Sequence, residues 1–307
     1  GIRIPAWQCE ECSVWTVTPG ETPLHCSSCS STKLTQDSDT FDTWFSSGQW
    51  PFATLHATGN DDFKYFYPTS VMETGYDILP WWVCRMMMLG LYVTGDVPFR
   101  TVYLHGLVRD NKRQKMSKSK GNVINPLEMV ERYGADALRM ALVYGTGAGN
   151  DQSLSEDKIR GMRNFANKLW NIARFMEMSF STATASVPFY DAAMKKKLIH
   201  AADKKIITDL EVLIKITTKH MNAFRYSDAA QNIYDFTWHT LADAYIEQSK
   251  ERLKTGDMQT LAVLRHVILM ILKLLHPFMP FVTEELWGKL PRKTTDPLIT
   301  SSWPMSE

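Results

Sequence analysis

The sequence predicts an α/β part followed by an all-α helical bundle, with a small metal-pinned ribbon at the front. Three observations carry this. Four cysteines stand at the start as two C-x2-C pairs. Short β-branched and aromatic runs of strand length are concentrated before about residue 150. After Asp151 strand signals nearly vanish and apolar residues recur at helical spacing.

Bulk properties set limits first. The chain has 307 residues and 44% apolar content, enough for one large domain or two ordinary ones with a real core. Its 34 basic and 33 acidic residues leave a net charge of +1. That excludes a polycation gripping nucleic acid by bulk charge, so any such contact comes from local patches. No run of 18 apolar residues exists, so no transmembrane helix is expected. "GIRIPAWQCEEC" lacks the basic and apolar regions of a signal peptide. It begins abruptly without Met, and we expect a piece of something longer.

Residues Gly1 to Leu34 form the ribbon. Cys9, Cys12, Cys26 and Cys29 can place four thiolates tetrahedrally around Zn²⁺, a structural site with no position open for water. Two disulfides are the alternative, and they need an oxidising compartment. Cys84, within "WWVCRMMM", reads as an inert core thiol. "VWTVT" (Val14 to Thr18), bounded by Pro19-Gly20, reads as one short strand. "DTFDTWFSSGQWPF" (Asp39 to Phe52) shows no helical period and reads as a structured loop.

The stretch from Thr74 to Gly95 reads as helical through about Tyr92, and as buried, because its apolar residues are nearly continuous. "TVYLHGLV" (Thr101 to Val108) is a strand, and with the helix before it suggests part of a parallel sheet. Ligands of such sheets sit beyond the carboxyl ends of strands. Asn125 as cap, Pro126 as first helical residue and Gly134 as stop predict a helix, with another from about Ala135 to Tyr144. "GTGAGND" (Gly145 to Asp151) lacks strand-then-helix context and reads as a linker. A capping box from Ser153 to Glu156 opens the bundle. Further helices are expected over about Asp191–Asn222, Ser227–Lys254, Asp257–Leu275 and Pro280–Leu290, then a loosely docked tail.

"RDNKRQKMSKSKGN" follows the strand directly. Six of the twelve residues from Arg109 to Lys120 are Lys or Arg. Such a run can be a solvated turn. It can also be a phosphate clamp, with Lys as compact charge, Ser117 and Ser119 as hydroxyls and Gly121 for close backbone approach.

"KMSKS" at Lys115 to Ser119 resembles the second signature of class I aminoacyl-tRNA synthetases. "DTWFSSGQWPF", "ETGYDILPWWVCRM", "VPFRTVYLHGLVRD", "KMSKSKGNVINPLEMVERYGADALR" and "RNFANKLWNIARF" follow in the order of the valyl-tRNA synthetase family, and "LLHPFMPFVTEELW" resembles the close of its anticodon-binding region. The resemblance spans essentially the whole chain. It implies a zinc ribbon at 1–34, the second half of a Rossmann-like catalytic domain at 35–150, and a helical anticodon-binding domain at 151–307.

It also implies a reaction. Valine would be activated with ATP and Mg²⁺ and passed to tRNA(Val), in a cytoplasmic, membrane-free enzyme that is monomeric when complete. Lys118 would be the main catalytic contact to the triphosphate and Lys115 its helper, with Ser117 and Ser119 assisting. Gly75 and Asp77 would hold adenosine, with Asp77 accepting ribose hydroxyls; otherwise Asp77 caps the next helix. His105-Gly106 would meet adenine, the other reading being a satisfied core histidine. Trp44 would wall the amino-acid pocket, or simply be core.

Asn164, Asn167, Lys168 and Trp170 lie where the family braces the tRNA stem, or they pack the helix. Because overall charge is near zero, Arg160, Arg163, Lys168 and Arg174 would have to form the tRNA-binding patch.

Departures matter as well. The family's His-x-Gly-His signature is absent, and "GIRIP" carries Ile2 where the family usually has His. The editing domain and the C-terminal arm are not found. The chain is therefore expected to be inactive alone and to need the N-terminal half as partner. Ile78 after Asp77 argues against the isoleucyl enzymes, which usually carry Gln there. Alternatives are an isoleucyl or leucyl relative, a stand-alone RNA-binding module, and a partner-binding bundle.

Overall fold

The structure, a computed structural model, describes residues 1–181, 186–293 and 295–305, apart from the side chains of Asn60 and Lys118. Contacts divide the chain into two units, Gly1–His105 and Gly106–Glu307.

The first unit opens with β1 (Ala6–Cys9), β2 (Trp15–Val17) and β3 (Leu34–Gln36). They form an antiparallel sheet in the order β2-β1-β3. The predicted "VWTVT" strand is β2. The interior here is small: Ala6, Trp7 and Thr16 are buried together with Cys9 and Cys26.

The stretch Asp39 to Phe52 is not a loop. It contains α1 (Thr43–Gly48) and the start of α2 (Trp50–Thr58), followed by α3 (Asn60–Phe66). Asp42 caps α1, accepting the Trp44 N–H at 3.3 Å, and Pro51 sits in the first turn of α2. Helices this short complete too few turns to show a period.

The predicted helix from Thr74 starts later than expected. β4 (Thr69–Gly75) precedes a 3₁₀ turn at Tyr76–Ile78, a π turn at Leu79–Val83 and α4 (Cys84–Thr94). β5 (Phe99–His105) then pairs parallel with β4, Gly75 opposite His105. Met72, Val83, Met86 and Phe99 form this unit's apolar cluster. The expectation of a buried helix fails: α4 buries only Met86 and Gly90, while Met88 and Tyr92 are 71% and 88% exposed. Cys84 is exposed too, not a core thiol. Continuous hydrophobicity marked a surface that the described residues of the first unit leave open.

In the second unit, β6 (Val108–Arg109) pairs parallel with β7 (Gln152–Ser153). Between them lie α5 (Pro126–Tyr133), capped by Asn125 and stopped at Gly134 as predicted, and α6 (Ala135–Val143). The bundle follows as α7 (Glu156–Ser181), α8 (Ala192–Lys196), α9 (Ala201–Asn222), α10 (Tyr226–Asp235), α11 (Glu247–Lys254), α12 (Met258–Leu275) and α13 (Pro280–Lys289). A π-helical stretch, Phe236–Ile246, joins α10 to α11.

The predicted capping box is shifted. Ser155, not Ser153, caps α7 by accepting the Lys158 N–H at 3.2 Å; Ser153 lies in β7. α12 is long and apolar enough to cross a membrane by length and composition alone, but 72% of it is buried inside the protein. It is the bundle's central helix, with Leu261, Leu264, Ile271 and Leu275 fully enclosed.

The tail is pinned rather than loose. Glu284 accepts the N–H groups of Leu298 and Ile299 at 2.7 and 3.1 Å, and Trp303 Nε1 donates to Thr218 Oγ1 at 2.8 Å.

Also on α12, the His266 ring packs against Tyr190 at a tilt of 32° with ring centroids 4.5 Å apart, and burial pushes its pKa down to about 4. Between that value and the ordinary 6.5 the unfolded chain binds a proton that the folded chain refuses, so stability is complete above pH 6.5 and is lost as pH falls. The expected loss is about 2 kcal/mol between pH 7.5 and pH 5. Urea titrations of the wild type and His266→Phe at both pH values measure it; the variant should lose less. An equal loss in both would exclude His266 as the cause.

Candidate functional site

Two turns of the same shape build the cysteine cluster. Ser13 N–H returns to Cys9 O at 2.9 Å and Ser30 N–H to Cys26 O at 3.1 Å, with both serines at φ 59°. The four sulfurs lie within 4.8 Å of one another, with Cys9–Cys29 and Cys12–Cys26 each at 3.5 Å. A disulfide needs about 2.05 Å. Ligands at about 2.3 Å from a tetrahedral Zn²⁺ stand roughly 3.8 Å apart.

Proton affinities within the cluster are split. N–H groups of Cys29 and Ser28 lower Cys26 to about 6. At Cys29 the Ser31 N–H favours the thiolate, yet the neighbouring Cys12 and Cys9 sulfurs and burial outweigh it and raise the pKa to about 12. Four thiolates cannot coexist at this spacing without a cation. The donor set fits zinc.

Of the remaining candidates of the first unit, Gly75, Asp77 and His105 lie at or next to the carboxyl ends of β4 and β5, while Trp44 is on α1. Gly75 is buried at the end of β4, opposite His105. His105 is exposed and its Nε2 lies 3.2 Å from Glu73 Oε1, so it is not a core histidine. Asp77 is exposed and caps neither following turn through its side chain. Trp44 is half-buried on α1. Beside α1 and α4 an apolar groove of about 420 Å³ is lined by Phe45, Pro80, Trp81, Cys84, Arg85, Met88 and Leu89.

In the second unit Gly106 serves packing: a Cβ there would fall 1.9 Å from Asn150 O. The lysine loop is a tied structure. Arg109 and Lys115 form an antiparallel bridge, and Asp110 N–H reaches Gln114 O at 3.0 Å. Lys115 and Ser119 are exposed; Ser117 Oγ lies 3.2 Å from Ser119 Oγ. Lys118 begins a short 3₁₀ turn, Lys118–Lys120, and its side chain lies outside the described residues. Gly121 turns the chain at φ 64°, a conformation that favours glycine.

A polar cavity of about 470 Å³ includes Arg109, Arg113, Asp151, Gln152, Ser153 and Lys158 in its lining. Burial lowers the Lys158 pKa. Sequence reasoning missed Asp110, Asn122, Asp151 and Lys158. The capping habit of Asp and Asn was the one available signal for the first two.

The basic candidates of the bundle all lie on α7. Arg160 pairs with Asp157, Lys168 Nζ meets Asp243 Oδ1 at 3.0 Å, and the Arg163 guanidinium stands 5.7 Å from the Tyr133 ring centre. Arg174, Asn164, Asn167 and Trp170 are exposed. Part of the positive charge is thus matched locally.

Comparison with known proteins gives concordant results. The family of tRNA synthetases class I (I, L, M and V) matches residues 14–155, and the anticodon-binding domain of tRNA ligase matches residues 203–307. A valine–tRNA ligase of Bdellovibrio bacteriovorus is 46% identical over 96% of this chain and 33% of its own length. One from Dehalococcoides mccartyi is 45% identical over 94% of this chain and 32% of its own.

Among solved structures, a LeuRS of Agrobacterium radiobacter K84, in ternary complex with tRNA and LeuAMS, aligns with TM-score 0.79 at 20% identity, over 99% of this chain and 40% of that one. A Mycobacterium tuberculosis methionyl-tRNA synthetase in complex with methionyl-adenylate gives 0.62 at 24%, over 75% of this chain and 46% of that one. At these identities the structural likeness speaks for the fold alone. The chain is thus similar to the class I tRNA synthetases over residues 14–155 and to valine–tRNA ligases over nearly its whole length, and it spans about one third of the length of the curated relatives it matches.

Proposed function

We propose that this chain supplies the phosphate-side half of the catalytic site and the tRNA-binding bundle of a valine–tRNA ligase. The observation that carries the proposal is the tied loop from Lys115 to Ser119, in a chain 46% identical to such an enzyme over 96% of its residues. Lys118 and Lys115 bear on the triphosphate as the α-phosphate is attacked, and they follow the charge that grows on pyrophosphate. Ser117 and Ser119 add hydroxyl contacts. Gly75, Asp77, His105 and Gly106 take adenosine, with Asp77 accepting ribose hydroxyls. Trp44 walls the amino-acid pocket. ATP enters with Mg²⁺, and Cys9, Cys12, Cys26 and Cys29 hold a structural Zn²⁺. The functional division is a zinc ribbon at 1–34, a catalytic part at 35–150 and a tRNA-binding bundle at 151–307, in a monomeric cytoplasmic enzyme.

The exposed face of α4 and the two-stranded β4–β5 sheet then await the rest of the catalytic fold. Parallel sheets are stable when covered on both faces, and here the covering elements belong to the remaining two thirds of the protein. The His-x-Gly-His signature is absent from these 307 residues. The chain alone should therefore not form valyl-adenylate, and ATP–pyrophosphate exchange with valine tests this, first for the chain alone and then with the N-terminal part added. Robust exchange by the chain alone would overturn the proposal.

tRNA binds through Arg160, Arg163, Lys168 and Arg174 on α7. Its affinity is expected to fall at least about tenfold between 50 and 200 mM salt. Filter binding across that range checks it, and a flat response would exclude this electrostatic patch.

A further inference from the structure

The only carboxylate between Arg109 and Asn122 is Asp110, set among six cations. It spends its acceptors on the loop itself. Oδ1 accepts the N–H groups of Lys112 and Gln114 at 2.9 and 2.7 Å, and Oδ2 accepts Asn122 Nδ2 at 2.9 Å. From the other end of the loop, Asn122 Oδ1 accepts the Ser117 N–H at 2.9 Å, and Nδ2 also approaches Lys115 O at 3.3 Å. Ser153 Oγ donates to Asp110 O at 2.7 Å, and Leu154 N–H donates to Arg109 O at 3.0 Å. These last two bonds fix the loop's first residues to β7, which leads directly into α7.

We propose that Asp110 and Asn122 are positioning residues for the lysine loop. They form a clasp that joins its two ends, and Ser153 anchors the clasp to the base of α7. The physical need is plain. A segment with this density of positive charge repels itself and would splay. A single ionised acceptor at its neck, bridged by an amide to the backbone of Ser117, sets the course of the chain next to Lys118. The Asn122 amide, then the backbone N–H groups of Gln114 and Lys112, hold the Asp110 carboxyl below its usual range, so it stays charged at any working pH. Lysines that must meet developing charge are effective only if their backbone is already in place, since a misplacement of about 1 Å can cost roughly 10²-fold in rate. The inference rests on the loop's proposed role toward ATP.

The clasp has a direction of donation, and this makes it testable by reciprocal exchange. Asp110→Asn sets two amides face to face, and Asn122→Asp sets two carboxylates face to face. The double variant, Asp110→Asn with Asn122→Asp, restores one donor facing one acceptor and keeps an acceptor for Ser117 N–H. Hydrogen exchange of the 307-residue chain reads the loop without reference to catalysis.

Each single variant and Asn122→Ala should speed exchange at Ser117 about tenfold, the value of one lost hydrogen bond. The double variant should return toward wild type, and urea unfolding should be unchanged throughout. Unaltered Ser117 exchange in the single variants, or a double variant no better than either single, would overturn the clasp. With the N-terminal part supplied, the single variants should lower kcat of ATP–pyrophosphate exchange more than they raise KM for ATP, and the double should recover. Loosening without a kcat effect, while Lys118→Ala does lower kcat, would overturn positioning and spare the catalytic reading. If Lys118→Ala is also silent, the catalytic reading fails and the positioning claim fails with it.

Discussion

Lys118→Ala is expected to lower ATP–pyrophosphate exchange with valine by a factor of about 10² to 10³ in the complemented protein, the loss typical of one preorganised contact to transition-state charge. The effect should fall on kcat rather than on KM for ATP. Charge on the leaving pyrophosphate grows only as the α-phosphate is attacked, so a contact to it is stronger in the transition state than in the ground state. Lys115→Ala should cost less, because its backbone is held in the antiparallel bridge to Arg109 at the loop's entry, while Lys118 opens the 3₁₀ turn at the loop's tip. Lys118→Arg should rescue only in part, since a planar fork replaces a compact ammonium. Steady-state exchange with ATP and valine varied separately measures all three. A Lys118→Ala enzyme with wild-type kcat would refute the assignment.

Zinc removal is expected to be the most damaging single change to the first unit. Protein purified without chelator should carry one zinc per chain, and Cys26→Ser should abolish it. Structural zinc sites contribute on the order of 10 kcal/mol at neutral pH. The ribbon has little else: its buried side chains are Ala6, Trp7, Thr16 and two of the cysteines themselves. Chelation should therefore melt β1, β2 and β3 while the helices of the second unit, which enclose a much larger apolar core, persist. Hydrogen exchange at Trp7 and Thr16 against amides of α12 resolves the two events. Cys84→Ser should leave metal content unchanged, because Cys84 is not part of the cluster. Two disulfides and no metal would sink the assignment.

Local rules were legible wherever the chain's own chemistry sufficed. The spacing of Cys9, Cys12, Cys26 and Cys29 announced a four-thiol site, and the structure brings all four sulfurs together. Asn125, Pro126 and Gly134 announced α5 with its cap and stop. The long apolar periods after Asp151 announced a bundle, because a helix of many turns repeats its pattern often enough to be read.

The misses share a cause. Asp39 to Phe52 hid α1 and α2, whose few turns show no period. Thr74 to Tyr92 looked like one buried helix, whereas β4 and two irregular turns occupy its start and α4 lies largely exposed. Hydrophobicity states that a surface is to be covered, but not by what. Ser153 and Ser155 were equally good caps by type; pairing of β7 with β6 left the role to Ser155.

By itself, then, the sequence determined the chemistry available: four thiols at zinc spacing, a lysine-rich loop after a strand, and a helical second half. These follow from residue type and short-range spacing, which tertiary contacts do not alter. Only the tertiary structure decided which groups meet. It set Gly75 opposite His105 through parallel pairing and joined Asp110 to Asn122 across the loop. It also made Gly106 obligatory by bringing Asn150 O against it. Those contacts join residues from 12 to 44 positions apart in the chain, and no local preference encodes a distance closed by folding.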